Sequence, residues 1–438
     1  MTTFGGLSTP TAVFAAFLLV AYLSLFPAAF AVILARSRRA FGVRALALVA
    51  PIWVSTELGR QYIWDGFPWA LLGYSQVTVL PVAQIASVVG VYGLSALLAF
   101  TAAAAAAPIL LRGRARLAHP AAAALVVVTC LVWGSGRLRE SALLDAGDAV
   151  RVAVIQGNIA QDDKWNPDLR DAITDKYIGM TREALAAGAT FIMWPESSTP
   201  FYFEHDLIRG AAIRRLARES GATMLIGSDQ VEPVRATTAD QKPASRYYNA
   251  AFLVQPDGQV GAVYRKMHLV PFGEYVPLQN LLFFVGPIVE AVAAFTPGAD
   301  PVLLPVGGHL VSTAICYEVI FPSLIRRFVQ DGSELLTTIT NDAWYGRSSA
   351  AYQHWEQAAM RAIEQGRYLA RAANTGISGF VDPYGRTIEK TDLFHDAIVI
   401  GDLRFIRERT IYSRTGDVAA WLSLAVTLAA LAASLRIR

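Results

Sequence analysis

Cysteine and charge are both scarce in this chain of 438 residues, which contains two cysteines and 17% charged side chains. Cys130 lies in an apolar stretch and Cys316 in a separate polar region, so the sequence predicts no disulfide between them. The formal net charge of +3 is small for this length, and no basic stripe alternates with aromatic residues. A nucleic-acid partner is therefore not expected.

Several common catalytic motifs are also missing. The six histidines are isolated, without H-x-H, H-E-x-x-H or Cys/His clusters, so the sequence predicts neither a metal site nor a metal cofactor. There is no G-x-S-x-G nucleophile elbow, no Walker A loop and no G-x-G-x-x-G fingerprint. These absences argue against serine-hydrolase, P-loop and dinucleotide-binding chemistry.

Apolar residues are abundant, at 54% of the chain with a mean hydropathy of +0.38. A membrane-spanning helix needs about 20 apolar residues. Five uncharged runs approach or exceed that length, counting a second candidate centred on 45–56. They are 11–35, 45–56, 77–111, 119–136 and 418–434. The composition therefore predicts a polytopic α-helical membrane bundle, with four spans before a large polar region and one after it.

Arginines orient the predicted spans. They cluster in the loop at 36–44, in the loop at 112–116 and at the C-terminus, which all fall on the same side of the membrane. By the positive-inside rule that side is the cytoplasm, and the polar region from about 137 to 415 lies outside. The N-terminus would then also lie outside, as expected for a chain that lacks an odd number of upstream spans.

The polar region alternates short apolar runs with amphipathic stretches, which is typical of an α/β architecture. We predict strands at 151–157, 189–196, 222–229, 247–267 (two strands around Pro-Asp-Gly), 309–318, 334–342 and 375–390 (two strands around Pro-Tyr-Gly). We predict helices at 168–188, 206–220, 323–332 and 351–373. The resulting domains are a membrane region at 1–136, an α/β domain at 150–405 and a C-terminal span at 416–435.

Two segments allow more than one interpretation. The loop at 59–76 is rich in aromatic residues and suits either an interfacial anchor or a substrate-binding element. The apolar stretch at 276–295 lies between polar motifs, and its pattern fits either a core helix or a mobile arm on the membrane surface.

Three predicted strand ends carry reactive side chains, at Glu196, Lys266 and Cys316, with Glu274 eight residues beyond the lysine. A lone buried cysteine is more often a small core hydrophobe than a nucleophile. A carboxylate, an amine and a thiol at neighbouring strand ends nevertheless form a coherent set. The thiolate would attack, Glu196 would move the proton, and Lys266 with a backbone N–H after the cysteine would hold an oxyanion.

The short sequence motifs around these residues resemble those of the apolipoprotein N-acyltransferase family, which belongs to the nitrilase, or carbon–nitrogen hydrolase, superfamily. They include "WPES", "YRKMHLVPFGEYVP", "ICYEVIFP", "TNDAWYG" and "QHWEQAAMRAIEQGRYLARAANTGISGFVDPYGR". Three motifs of the predicted membrane region also match, "AYLSLFPA", "GFPWALLGYSQ" and "ASVVGVYGLS". The resemblance runs from about residue 13 to the end. Members usually have about three more spans upstream, so the resemblance implies a shortened form or a late start.

The resemblance implies a four-layer αββα sandwich on a membrane bundle, without a cofactor. It implies ping-pong transfer of an acyl chain from a phospholipid, through a cysteine thioester, to the amine of a diacylglyceryl apolipoprotein. The enzyme would be a monomer in the bacterial inner membrane, with its catalytic domain on the periplasmic side. The matching motifs imply that Glu196, Lys266 and Cys316 are catalytic. The supporting residues are Glu274, Tyr317, Glu318, Trp165 and Asn249.

Two other classes of function stay open at the level of sequence. A membrane-tethered nitrilase-like amidase would share the same three residues but would admit water. The second class is a non-enzymatic membrane protein, such as a transporter or an assembly scaffold. A transporter would be expected to place ionisable groups in the middle of its spans, where this chain has almost none. A scaffold would have no need of the three residues.

Overall fold

The structure is a computed structural model that describes residues 8–64, 66–234, 244–275 and 295–436. Apolar helices from both ends of the chain pack together, and two β-sheets are formed by the residues between them. The helices of the apolar part are α1 (Thr9–Phe41), α2 (Val49–Tyr62), α3 (Leu80–Ala83), α4 (Ala86–Leu110), α5 (Ala115–Glu140) and α11 (Val418–Arg436).

The sheets contain twelve strands in the described residues. The strands are β1 (Asp148–Gln156), β2 (Phe191–Met193), β3 (Thr223–Val234), β4 (Ala244–Val254), β5 (Val260–Arg265), β6 (Leu304–Val306), β7 (His309–Ile315), β8 (Leu335–Thr340), β9 (Leu369–Ala373), β10 (Gly379–Val381), β11 (Thr387–Lys390) and β12 (Ala397–Phe405). The remaining helices are α6 (Arg170–Ala186), α7 (Arg209–Ser220), α8 (Pro322–Gln330), α9 (Ala350–Gln365) and α10 (Ile411–Thr415).

The second predicted span is not a single α-helix. Helix α2 has 14 residues and follows a 3₁₀ segment, Gly42–Leu48, directly after α1. The chain turns back between α1 and α2, because Tyr22 donates to the backbone oxygen of Ile63 at 3.1 Å and the rings of Phe30 and Trp53 lie 5.2 Å apart. The 3₁₀ segment and α2 together reach about 35 Å, against the ~30 Å of a hydrocarbon core. In the described residues, four segments are long and apolar enough to cross a membrane, and one of them, Thr9–Tyr62, contains both α1 and α2. The second span therefore stays a prediction.

The two sheets lie face to face. The first has the strand order β12-β1-β2-β3-β4-β5 and the second β11-β10-β9-β8-β7-β6, and each is parallel at its centre. Along β1, Val152 and Val154 join the large core that includes the second sheet, while Ala153 and Ile155 pack with α6 and α7. This alternation puts a helical layer outside each sheet, because α8 and α9 cover the second one. The predicted four-layer αββα sandwich is confirmed.

The predicted helix at 351–373 is wrong in its second half. Helix α9 ends at Gln365, and Gly366 follows in the left-handed region with φ 62°. The next residues form β9, which is fully buried between β8 and β10. Alanine and arginine favour helices in isolation, but position in the sheet outweighs that preference here. The sequence pattern also missed two strands, β6 and β12.

The apolar stretch at 276–295 lies outside the described residues apart from Phe295, which forms a bridge with Tyr247. Both interpretations of that stretch therefore stay predictions.

A buried polar joint connects the membrane helices to the sandwich. Helix α4 bends at Gly90, which has φ 67°, and the freed N–H of Val91 donates to Glu364 Oε1 at 2.8 Å. Arg361 pairs with the same carboxylate at 3.1 Å and donates to the hydroxyl of Tyr74 at 3.1 Å. Arg361 and Glu364 are both 0% exposed, so each depends on partners from the other part of the chain.

Gly90 should tolerate no side chain at this bend. A Cβ at this position would lie 2.4 Å from the ring of Tyr412, and the positive φ disfavours any other residue. We expect Gly90→Ala to destabilise the protein by roughly 3 kcal/mol or more. Thermal unfolding of the detergent-solubilised protein measures this.

Gly113→Ala is the matched control, because Gly113 has φ 64° and no atom lies within 4 Å of the place that its Cβ would occupy. It should cost only about 1 kcal/mol. Equal shifts in the two variants would show that contact with Tyr412 does not restrict the bend.

Candidate functional site

Glu196, Lys266 and Cys316 follow three different strand ends and are all buried. Glu196 lies three residues beyond β2, Lys266 directly follows β5, and Cys316 directly follows β7. The ammonium of Lys266 lies 3.3 Å from Glu196 Oε1. The charges of Glu196 and Lys266 both act on the Cys316 thiol, the carboxylate raising its pKa and the ammonium lowering it. The predicted residues therefore share one electrostatic site.

Glu274 and Asn249 complete the surroundings of the lysine. Glu274 Oε1 lies 2.8 Å from Lys266 Nζ, closer than Glu196 does. The Asn249 amide donates to Glu196 Oε1 at 2.7 Å and to Glu274 Oε1 at 2.8 Å. The second oxygen of Glu274 accepts from the backbone N–H of Val270 at 2.7 Å. Ammonium and amide thus bridge two carboxylates that would otherwise repel each other.

The protonation states follow from these contacts. Burial alone would raise the pKa of Glu196, but Lys266 and Lys164 outweigh it and lower that pKa below its usual value. Burial would lower the pKa of Lys266, but Glu274 and Glu196 raise it above the ordinary range. Burial raises the pKa of the Cys316 thiol well above its ordinary value. The resting site therefore holds a carboxylate, an ammonium and a neutral thiol.

Cys316 occupies a strained turn at the end of β7. Its φ of 53° lies in the left-handed region, which residues other than glycine rarely adopt. A 3₁₀ turn, Cys316–Ile320, begins at this residue, and the backbone N–H of Ile315 donates to Glu318 Oε2 at 2.7 Å. Strain of this kind persists only where surrounding contacts hold it, as Glu318 does here.

Glu318 also binds the segment that carries the lysine. Its Oε1 accepts from the Tyr264 hydroxyl at 2.7 Å, from Met267 N at 2.6 Å and from His268 N at 3.1 Å. Tyr264 and Met267 lie on either side of the Arg265–Lys266 step, so one buried carboxylate connects the turn of Cys316 to the lysine. Burial raises the pKa of Glu318 to about 7.

Tyr317 and the aromatic loop at 59–76 meet beside the cysteine. The Tyr317 hydroxyl donates to the backbone oxygen of Gly66 at 3.0 Å, and its ring lies 6.2 Å from that of Phe67. Trp69 donates to Gln353 Oε1 at 2.7 Å. Part of the loop therefore contacts the site, while Trp64 is exposed and suits an interfacial anchor.

Trp165 is 45% exposed, whereas its neighbour Lys164 is buried and donates to the backbone oxygen of Glu196 at 3.0 Å. The resemblance to the family indicated the tryptophan and missed the lysine, although the two are neighbours in the sequence. It also missed Asn341, whose backbone N–H donates to Glu196 Oε2 at 2.8 Å. Asn341 could have been found, because it directly follows the apolar run of β8 within the motif "TNDAWYG".

Two family models match the chain. The carbon–nitrogen hydrolase model matches residues 151–410, and the apolipoprotein N-acyltransferase N-terminal domain model matches residues 1–104. A protein named apolipoprotein N-acyltransferase from Geobacter metallireducens is 39% identical, over 97% of this chain and 81% of its own length. The chain belongs to the apolipoprotein N-acyltransferase family.

Further members of the family are similar over nearly the whole chain. The one from Methylococcus capsulatus is 36% identical over 95% of this chain and 80% of its own length. The one from Bradyrhizobium diazoefficiens is also 36% identical, over 95% of this chain and 78% of its own length. Among solved structures, a nitrilase-superfamily amidase from Nesterenkonia has 20% identity and a TM-score of 0.45, covering 64% of this chain and 98% of that one.

Glu318 should be needed for stability because it accepts four hydrogen bonds in the protein interior. In Glu318→Gln, the amide nitrogen must face at least one of these donors. We expect a loss of roughly 1–3 kcal/mol in the free energy of unfolding. Thermal unfolding measures it, and Glu219→Gln, at an exposed glutamate of α7, should leave the midpoint unchanged. An unchanged midpoint in both variants would show that the hydrogen bonds accepted by Glu318 do not stabilise the fold.

Proposed function

We propose that the chain transfers an acyl group from a membrane phospholipid to the N-terminal amine of diacylglyceryl-cysteine in a bacterial lipoprotein, through a thioester on Cys316. Relatives named apolipoprotein N-acyltransferase, which are similar over most of the chain, support this activity. The observation that carries the proposal is the buried ammonium of Lys266 between Glu196 and Glu274, in the electrostatic range of the Cys316 thiol.

In the first half-reaction Cys316 becomes acylated. The carboxylate of Glu196 accepts the thiol proton, and the sulfur attacks the ester carbonyl of the phospholipid. The negative oxygen of the tetrahedral intermediate is stabilised by the ammonium of Lys266 and by the backbone N–H after Cys316. The intermediate collapses, the lysophospholipid alkoxide leaves, and Glu196 returns the proton to it.

In the second half-reaction the acceptor amine attacks the thioester carbonyl. Glu196 takes a proton from the attacking nitrogen, and the same ammonium stabilises the second tetrahedral intermediate. The Cys316 sulfur leaves and recovers its proton from Glu196, which releases the amide and restores the resting site. Atoms and charge balance without a cofactor.

Transfer requires that water does not hydrolyse the thioester. Cys316 is 6% exposed, and Glu196 and Lys266 are buried beside it. The contact of Tyr317 with Gly66 brings the loop between membrane helices next to the nucleophile. This arrangement supports acyl substrates that approach from the bilayer.

The first test measures acylation of Cys316 by mass spectrometry after incubation with phospholipid alone. Wild type should gain one acyl group, Cys316→Ala should gain none and Cys316→Ser nearly none, since a hydroxyl is a poor nucleophile at its own pKa. Glu196→Gln and Lys266→Ala should slow acylation by roughly 10²–10³-fold. Glu274→Gln should retain part of the rate, because Glu274 positions Lys266 and does not transfer the proton.

Cys130→Ala is the control for the thiol assignment, because Cys130 lies in α5 among the apolar helices, and it should acylate like wild type. A normal rate in Glu196→Gln would mean that another group is the base. Ammonia release from simple amides, without an acyl adduct from phospholipid, would favour the tethered amidase.

We also propose that the protein lies in the bacterial inner membrane with the site on the periplasmic side, because the arginine-rich loops at 36–44 and 112–116 fall on the opposite side. A reporter fused after Arg438 should be cytoplasmic, and one fused near Asp145 should be periplasmic. The reverse pattern would overturn the orientation and the compartment of the reaction.

A further inference from the structure

A buried polar cluster behind Cys316 plays no part in the steps above. It consists of Asp342, which follows β8, His354 on α9 and Arg371 on β9. Their side chains are at most 1% exposed. Burial of two charged groups and an imidazole is costly, so the contacts that they make are informative.

His354 is attached to the backbone of the nucleophile. Its Nε2 lies 3.0 Å from the carbonyl oxygen of Cys316. A carbonyl oxygen only accepts hydrogen bonds, so Nε2 must carry a proton in either charge state of the ring. The imidazole therefore donates to Cys316 from the side opposite to its own anchors.

Asp342 and Arg371 hold the other side of the ring. His354 Nδ1 lies 3.0 Å from Asp342 Oδ1 and 2.9 Å from Arg371 Nη2. Arg371 Nη2 also donates to Asp342 Oδ2 at 2.9 Å, and the Thr340 hydroxyl donates to Asp342 Oδ1 at 2.9 Å. The ring is thus fixed by groups from β8 and β9, which leaves Nε2 one direction in which to point.

The Cys316 carbonyl belongs to the peptide unit that also contains the Tyr317 N–H. In a planar trans peptide the C=O and the N–H point in opposite directions. The hydrogen bond from His354 to the Cys316 carbonyl therefore fixes the direction in which the Tyr317 N–H points, on the opposite side of the peptide. This matters here because Cys316 has a strained φ of 53°, so the peptide plane needs support from outside its own turn.

The cluster also reaches the general base. Asn341, next to Asp342 in the chain, donates its backbone N–H to Glu196 Oε2 at 2.8 Å. The segment Asn341–Asp342 therefore contacts the carboxylate that moves the proton and also anchors the histidine that binds the carbonyl of Cys316.

We propose that His354, held by Asp342 and Arg371, is a positioning residue that orients the Cys316–Tyr317 peptide so that its N–H faces the oxyanion of both tetrahedral intermediates. The inference rests on the proposed function, because only attack on an acyl carbonyl creates that oxyanion. Under this proposal, His354 contributes to stabilising the oxyanion of the intermediates and contributes much less to the reactivity of the Cys316 thiol.

Two reactions of the same thiol separate these effects. Acylation by phospholipid develops an oxyanion, whereas alkylation by iodoacetamide displaces iodide from a CH₂ carbon and develops none. Both are measured at Cys316 by mass spectrometry in a Cys130→Ala background, so that only one thiol reacts. In His354→Leu, acylation should slow by roughly 10²-fold and alkylation by less than about threefold.

A pair of amide variants provides the rescue test and covers the case in which His354→Leu does not fold. The amide nitrogen of His354→Gln can reach the place of Nε2 and donate to Cys316, whereas the shorter side chain of His354→Asn cannot. We expect acylation within about tenfold of wild type for the glutamine variant and a loss like that of leucine for the asparagine variant.

Equal loss of acylation and alkylation in His354→Leu, or equal acylation rates in the glutamine and asparagine variants, would overturn the inference and leave the proposed function in place. A normal acylation rate in His354→Leu would overturn it as well. Absence of any acyl adduct in the parent protein would instead overturn the proposed function, and the oxyanion role with it.

Discussion

The buried ammonium of Lys266 is the constraint on which the site depends. A charge taken out of water costs several kcal/mol unless close partners compensate it. Lys266 has two carboxylate partners, Glu274 at 2.8 Å and Glu196 at 3.3 Å, and the amide of Asn249 bridges both. These groups come from separate segments around the sheet ends. The first sheet and the segment that carries Glu274 must therefore come together for the lysine charge to be compensated, which links the fold directly to the site.

The strand ends could be predicted from sequence because a short apolar run is a local signal. Glu196, Lys266 and Cys316 each follow such a run, at the ends of β2 and β5 in the first sheet and of β7 in the second. Lys164 and His354 could not be selected in the same way. Their roles come from hydrogen bonds to backbone carbonyl oxygens that are distant in the chain. A single buried lysine or histidine has no local pattern that distinguishes it.

The errors in the fold have a related origin. Residues 367–373 contain helix-favouring alanine and arginine, yet they form the central strand β9 because Gly366 ends the helix and a place in the sheet is available. The span centred on 45–56 was predicted from apolarity alone. That signal did not reveal that the segment is a 3₁₀ turn followed by the short helix α2, which packs against α4 and α11 and carries the buried carboxylate of Glu57. Composition indicates an apolar environment, but it does not separate lipid from protein neighbours.

The joint formed by Arg361, Glu364, Tyr74 and Val91 has a consequence for modularity. Many multidomain enzymes combine units that can be exchanged or inherited separately, because the surfaces between them are polar and weakly packed. Here a fully buried ion pair of the sandwich is completed by a phenol and a backbone N–H from the membrane part. Separation would expose that pair and remove its partners. A sandwich made without the membrane helices would therefore need other partners for Arg361 and Glu364.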